Sequence, residues 1–277
     1  MEIGYISILN NNFGDALNKP ILSALSPNIH FVHSNQIISE NPRISAIGSI
    51  AFLWTGNTII WGSGILDERN ACPKNLRNMD FRLLRGPKSR EFLLKLGYKD
   101  IPEVYCDPGV LAPYFYRETL SDEKKYDVGI FPHNTEDMRW HIANSKNYKD
   151  KIVYINFDDH IDRILFKISQ CKRIVSSSLH GIIVSDAMGI PVSWYQLTKQ
   201  NDPFKFYDYF EGTDRKGIKE NNFIGYHPSS ANLLNLDTLP KGKFNIKGLL
   251  DSYPFDIDLS LRESIIKYYE EKQKQKQ

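Results

Sequence analysis

The amino-acid sequence predicts an α/β protein built as two doubly wound domains. Three observations carry this: apolar runs of strand length alternate with helix-length segments, a polar stretch interrupts them midway, and the alternation then begins again. At 277 residues the chain exceeds a usual single domain, which leaves room for two cores of ordinary size. In the first half, strands are predicted over residues 3–9, 44–50, 58–61, 81–84 and 104–106, each apolar enough to be buried on both faces, as parallel strands are. A crossover helix is predicted over 86–97, entered at Pro87, carrying Phe92, Leu93 and Leu96, and stopped by Gly97. The chain turns polar over 117–125, the expected linker, which divides it into domains 1–120 and 121–258. In the second half, strands are expected over 128–131, 152–157, 173–177 and 191–195, with helices over 161–171 and 180–188. The terminal stretch 259–277 reads as an amphipathic helix over 259–272, with Ile265, Ile266, Tyr268 and Tyr269 near one face, followed by a polar Lys/Gln tail.

Hydrophobic residues make up 41% of the chain and charged residues 25%, the balance of a folded soluble protein and not of a disordered one. The 35 Lys and Arg against 33 Asp and Glu leave a net charge of +2. That is too even for a protein holding nucleic acid on a basic face, so a bound anion must be met by local groups. Cys72, Cys106 and Cys171 are odd in number and far apart, with no Cys-x-x-Cys pair, which fits a reducing compartment. No segment approaches an apolar run of about 18 residues, and no basic start precedes a long apolar one. Neither a membrane span nor an export signal is expected, and the protein is placed in the cytoplasm, extending to the inner face of the membrane.

The richest stretch is residues 173–191, Arg-Ile-Val-Ser-Ser-Ser-Leu-His-Gly-Ile-Ile-Val-Ser-Asp-Ala-Met-Gly-Ile-Pro. A strand leads into a helix closed by Gly189, and the junction holds Ser176, Ser177, Ser178 and His180. Free backbone N–H groups and the partial positive charge of a helix start suit a phosphate or carboxylate, reinforced here by hydroxyls and an imidazole. Periodicity alone fits a merely serine-capped helix equally well. Gly62 and Gly64 form a Gly-x-Gly without the third glycine or the distal acid of a nicotinamide site, so they read as places of close backbone approach. Trp54, Trp61, Tyr114, Tyr116, Trp194 and Tyr195 are of a kind that stacks on sugars, though core packing is the commoner fate of each.

Together these motifs resemble, in order, those of the polysaccharide pyruvyltransferase family. Residues 173–191 match its Ser-rich strand leading to Leu-His and a helix ending Gly-x-Pro. Asn12-Phe-Gly14-Asp15 matches its Asn-x-Gly-Asp, Trp61-Gly62-Ser63-Gly64 its glycine turn, and Arg85-Gly-Pro-Lys-Ser89-Arg90 its Arg-Gly-Pro-x-Ser-Arg. Asp107-Pro108 and the segment from Asp202 to Tyr209, with Lys205 and Asp208, also match, so the resemblance covers about residues 1–212. It implies a fold similar to the two-domain GT-B glycosyltransferases, with the domains facing across a cleft. It also implies phosphoenolpyruvate as donor on the second-domain side and a saccharide acceptor, lipid-linked in one version, on the first. The implied product is a pyruvate ketal on a sugar hydroxyl pair, made during capsule or exopolysaccharide synthesis with no metal, no cofactor beyond the donor substrate and no nucleic-acid partner.

Such chemistry needs a proton for the methylene carbon, a base for the hydroxyl and cations for the phosphate. His180 matches the family histidine and is the expected proton donor or donor contact. Among the other histidines only His133 also sits where a second-domain strand opens into the cleft, and it ranks second. For the base the sequence offers Asp15, Asp107 and Asp208, with Asp15 slightly ahead, and each has a plainer reading: Asp15 as a helix cap, Asp208 as an i, i+3 partner of Lys205. Asp107-Pro108 reads as a turn before it reads as an acid. Ser177, Ser178, Leu179, Arg85 and Lys205 are expected to meet the donor, with Asn12, Gly14, Gly62, Ser63 and Gly64 along the cleft. Some family members carry arginine two residues before the histidine, where this chain has Ser178. Arg173 cannot stand in, because extended residues at about 3.3 Å each put it roughly 20 Å away. Arg90 and Lys88 fit a solvated surface role as well as a site role. Two alternatives stand beside this reading, since fold does not decide function. One is a nucleotide-sugar glycosyltransferase, against which the lack of a Glu-rich ribose-binding pattern beyond His180 weighs; the other is a non-catalytic relative, for which Ser178 speaks.

Overall fold

The computed structural model describes residues 1–8, 12–36, 41–67, 76–136, 151–197, 202–223 and 230–274; Cys72 and the end of the polar tail lie outside them. The strands fall into two five-stranded sheets, every pairing parallel. The first sheet holds β1 (Glu2–Tyr5), β2 (His30–His33), β3 (Arg43–Ser45), β4 (Thr58–Trp61) and β5 (Asp80–Leu83), in the order β2-β1-β3-β4-β5. The second holds β6 (Tyr126–Phe131), β7 (Ile152–Tyr154), β8 (Cys171–Ser176), β9 (Val192–Gln196) and β10 (Asn221–Asn222), in the order β10-β9-β8-β6-β7. Counted within its own half, each sheet therefore has the doubly wound order second-first-third-fourth-fifth. Such sheets reverse direction between their first and third strands, and ligands sit off the carboxyl ends of that pair. Here the pairs are β1/β3 and β6/β8.

Several predicted elements differ from the observed ones for identifiable reasons. The strand expected over 44–50 ends at Ser45, although Ala46, Ile47 and Ile50 are buried. Gly48 has φ +128°, outside the strand region, and the Asn18 side chain takes both backbone groups of Ile47, donating to its carbonyl at 3.0 Å and accepting from its N–H at 2.9 Å. Those apolar residues are buried as a loop, not as strand. The segment 104–106 contributes only an isolated bridge, Leu84 with Tyr105. β2 escaped the sequence reading because it is an outer strand whose one well-buried residue is Phe31, so no apolar run marks it.

The helices are α1 (Phe13–Ala16), α2 (Asn18–Leu25), α3 (Pro87–Lys95), α4 (Ala112–Phe115), α5 (Ile161–Ser169), α6 (Leu179–Met188), α7 (Phe204–Gly212), α8 (Ser230–Leu234), α9 (Ile246–Asp251) and α10 (Leu259–Lys274). α6 is apolar nearly all round and buried along its length except at Asp186, as a central helix must be. It ends at Gly189 in the left-handed conformation, φ +69°. Arg173, at the far end of β8, donates to the carbonyls of Leu233 and Leu236, away from His180.

Two arrangements fasten the halves together. At the first, Gly86 and Gly212 let α3 and α7 approach backbone to backbone: a Cβ on Gly86 would lie 1.8 Å from the Asp208 carbonyl oxygen, and one on Gly212 would lie 2.5 Å from that of Arg85. At the second, the chain beyond the second sheet returns to the first half. Trp61 donates its indole N–H to the Leu249 carbonyl at 3.0 Å, Tyr114 bonds Ser264 at 2.9 Å, and the Tyr269 hydroxyl donates to the Val110 carbonyl. α10 buries Ile265 and Tyr269, two of the side chains expected on its inner face. Among the described residues no helix is long and apolar enough to cross a membrane.

Candidate functional site

Both strand pairs that mark the reversal points open onto one cavity of about 250 Å³, walled by residues from each half, among them Asn12, Asp15, His133, Ser178, His180 and Lys205. The sequence builds it in layers. Asn12 caps α1 by accepting from the Gly14 N–H at 3.0 Å. Asp15 is therefore not the cap; its carboxylate accepts from the Ile8 N–H at 3.3 Å and stands at the wall. Burial raises the Asp15 pKa, while His180, Lys205 and His33 pull the other way.

Gly14 is required by a close approach. A Cβ there would lie 1.9 Å from His180 Nδ1, so any larger residue displaces the imidazole. On the other side, Ser178 caps α6 by accepting from the Gly181 N–H at 3.4 Å. Gly181 has no room for a side chain either, since a Cβ would meet Phe131 and Ser176 at 2.6 Å. Ser177 accepts from the His133 N–H at 2.9 Å, tying the end of β6 to the end of β8. Leu179 and Ser178 complete that wall.

Lys205, on the first turn of α7, points its ammonium at His133 Nε2, 3.5 Å away, with no carboxylate within 4 Å among the described residues. Burial, then the charge of Arg85, lowers its pKa to about 7. Burial, then Lys205 and His180, lowers that of His133 to about 3, so the ring stays neutral. A buried cation with no carboxylate in ion-pair contact among the described residues, beside a neutral imidazole and the N-terminus of α6, is a place for an anion.

The other expected residues lie elsewhere. Arg85 is turned inward and fully buried: Nε donates to Asp208 Oδ2 at 3.0 Å, Nη1 to Ser49 Oγ at 2.5 Å and Nη2 to the Ile65 carbonyl at 2.8 Å. Asp208 also accepts from the Ser89 N–H at 2.8 Å and its hydroxyl at 2.7 Å, so neither member of the pair is placed on the cavity wall. Asp208 pairs with Arg85, not with Lys205. Gly64 makes room for that guanidinium, a Cβ there lying 2.6 Å from Nη2. Gly62, at φ +105°, packs on Pro108, 2.1 Å from a would-be Cβ, and Ser63 bonds Ser45 at 2.7 Å in the interior. Trp54, Trp61, Tyr114, Trp194 and Tyr195 are all core. Lys88 pairs with Glu211 and Arg90 with Glu103, at 3.1 Å each.

One residue read as a turn stands inside the site. Asp107 does turn the chain, its Oδ1 accepting from the Gly109 N–H at 2.9 Å, but its Oδ2 lies 3.6 Å from His180 Nε2. The only signal for it in the sequence was that Asp107-Pro108 fell in order among the other motifs.

The sequence model of a family described as polysaccharide pyruvyl transferase matches residues 12–195. The chain belongs to this family. An uncharacterised protein of Acanthamoeba polyphaga mimivirus is 32% identical over 231 residues, covering 82% of this chain and 78% of its own. No solved structure matches the chain. The pyruvyl transferase match opens at Asn12, the cap beneath His180, and closes at Tyr195 on β9. Lys205, the one lysine on the cavity wall among the described residues, lies beyond it.

Proposed function

We propose that the protein transfers the pyruvyl group of phosphoenolpyruvate to a hydroxyl pair of a saccharide, forming a cyclic ketal during surface polysaccharide synthesis at the cytoplasmic side of the membrane. The observation that carries this is the buried Lys205, without an ion-pair partner among the described residues, beside His180, His133 and the start of α6, a cluster suited to a small, highly charged anion. Protonation of the donor's methylene carbon makes C2 electrophilic. One hydroxyl adds there and loses its proton, phosphate leaves with the C–O electron pair, and the second hydroxyl closes the ring as its proton departs. His180 is the proton donor and Asp15, raised by burial, the base for the attacking hydroxyl. Lys205 takes the part of the arginine that Ser178 replaces. No metal or further cofactor enters this scheme.

The division of labour follows the two halves, in a GT-B-like arrangement with domains 1–120 and 121–258. The second supplies Ser177, Ser178, Leu179, His180, His133 and Lys205 to the donor. The acceptor comes through an adjoining cavity of about 330 Å³ that shares Asn12 and Asp15 with the first and continues to Tyr5, Ser7 and Lys19. Asp15 thus stands between donor and acceptor. In this scheme Arg85 and Asp208 hold the halves together, and neither touches substrate.

Thermal melting tests the donor. Phosphoenolpyruvate should raise the melting temperature, because a ligand that binds only the folded state stabilises it, and a chelator should not change the shift. A nucleotide-sugar that acts at tenfold lower concentration, a preference of about 1.4 kcal/mol, would replace this reading with a glycosyltransferase. Ser178 in place of arginine favours one other outcome, a non-catalytic relative, which would bind phosphoenolpyruvate and release no phosphate with any saccharide tried.

A further inference from the structure

We propose that Asp107 is a positioning residue that fixes the His180 tautomer, drawing the proton of the neutral ring onto Nε2 and leaving Nδ1, on the cavity side, as the atom that takes up and then hands over the transferred proton. This rests on the reading of His180 as the reacting group. Asp107 Oδ2 and His180 Nε2 are both sealed from solvent, and among the described residues neither has a hydrogen-bond partner, although they lie 3.6 Å apart. Buried polar atoms without partners are rare in folded proteins and each calls for a reason. At 3.6 Å the pair is not yet hydrogen-bonded. A ring shift of roughly 0.8 Å closes it, and catalytic hydrogen bonds commonly tighten in this way when substrate binds. The ring's Cδ2 is turned to Gly109 and its Nε2 to Asp107, so the edge left for the cavity is the one holding Nδ1, which lies over Gly14. Among the described residues the other charged or titratable groups around that cavity are Asp15 on α1, His133 after β6 and Lys205 on α7, and none of them hydrogen-bonds the ring.

The carboxylate is itself held. Oδ1 is committed to the Gly109 N–H, and Pro108 is wedged under Gly62, where a methyl group would collide at 2.1 Å. The glycine turn at Trp61–Gly64 thereby reaches the imidazole through Pro108 and Asp107 without touching the cavity. A carboxylate behind an imidazole selects its tautomer, orients it and steadies its protonated form.

The Oδ1 contact makes one substitution decisive. In Asp107→Asn the amide oxygen stays on the Gly109 N–H, preserving the turn, while the NH2 faces Nε2 as a donor and drives the ring proton to Nδ1. Nitrogen chemical shifts of 15N-histidine-labelled protein, read at about pH 8 where an ordinary imidazole is neutral, report the tautomer directly; the His180 signal is the one lost in His180→Gln. We expect mainly Nε2–H in the unaltered protein and in Asp107→Glu, and mainly Nδ1–H in Asp107→Asn, with melting temperatures within a few degrees. An Nδ1–H ring in the unaltered protein overturns the proposal even if no variant folds. So does an unchanged tautomer in a folded Asp107→Asn protein. No substrate is present in this measurement, so its failure leaves the donor assignment standing, and failure of phosphoenolpyruvate to bind leaves the tautomer result standing.

Discussion

Arg85 with Asp208, and His180 with Asp107, are two buried basic–acidic pairs assembled from distant segments, and the protein finishes them differently. The first is saturated. Arg85 donates to a carboxylate, a hydroxyl and a carbonyl, Asp208 accepts from three donors, and neither is exposed to solvent. The second is left open, two facing atoms without partners beside a cavity. Full satisfaction of a buried charge secures a fixed geometry, whereas an unsatisfied one keeps a group ready to move a proton or meet a ligand. The difference separates a pair that is closed off in the interior from one that is left open at the cavity, although the sequence motifs present both kinds alike.

Experiments that break each pair should therefore give opposite signatures. The largest effect expected is on turnover: His180→Gln should lose on the order of 10²–10⁴ while the protein stays folded, because glutamine hydrogen-bonds but cannot take up or give up a proton at neutral pH. Near-normal phosphate release by the folded variant would return His180 to the role of a packing residue and move attention to His133. Next comes stability at the saturated pair. Arg85→Met leaves Asp208 buried and uncompensated, which should cost about 3–5 kcal/mol in denaturant unfolding, and adding Asp208→Leu should recover much of it. Equal losses in the single and double variants would show that the pair is not the joint described here.

A smaller effect is expected at Gly14→Ala, where the new methyl must push the imidazole aside. Overpacking of this kind costs about 1–3 kcal/mol, and phosphoenolpyruvate turnover should fall more than stability does. Retained turnover would mean that the His180 ring can shift without penalty. The smallest effect is on pH dependence. Lys205 gives up its proton at about 7 in the folded protein, so above that pH anion binding must also take up a proton. Affinity for phosphoenolpyruvate should weaken by up to tenfold, about 1.4 kcal/mol, per pH unit. Stability runs the other way. An unfolded lysine keeps its proton to about pH 10.4, so between the two values the unfolded state holds more protons and stability rises with pH. Lys205→Gln should flatten both trends, and calorimetric titrations from pH 6.5 to 9 would reveal it if they do not flatten.

Much of this was readable from the chain. Alternating apolar runs give both sheets except the outer strands β2 and β10, and Ser178-Leu179-His180 gives the start of α6, because strand and helix periodicities are local. What was not readable depends on pairs remote in sequence. Arg85 at the end of a strand looked like a cleft cation, and only its contact with Asp208 shows it turned inward. Asp107 before proline looked like a turn, and it is one, but a turn residue has a second carboxylate oxygen whose use no local pattern records. Gly62 and Gly64 do mark points of close approach, but against Pro108 and Arg85 in the interior and not in the cleft, and the approach of Gly14 to His180 is one that spacing alone cannot assign.

The Tyr269 hydroxyl that donates to the Val110 carbonyl has a consequence for how the protein is made. Val110 lies in the short helical turn, Pro108–Leu111, that Asp107 caps. Its partner is 159 residues further along the chain, and at ribosomal speeds of about 5–20 residues per second that separation is roughly 10–30 s of synthesis. The nascent first half can pair its strands and close the Asp107 turn locally during that interval, but the Val110 carbonyl waits for Tyr269, and Trp61 waits still longer for Leu249, 188 residues away. A chain cut short before Tyr269 should therefore keep its paired sheets and lose the hydroxyl that ties down the Pro108–Leu111 turn beside His180.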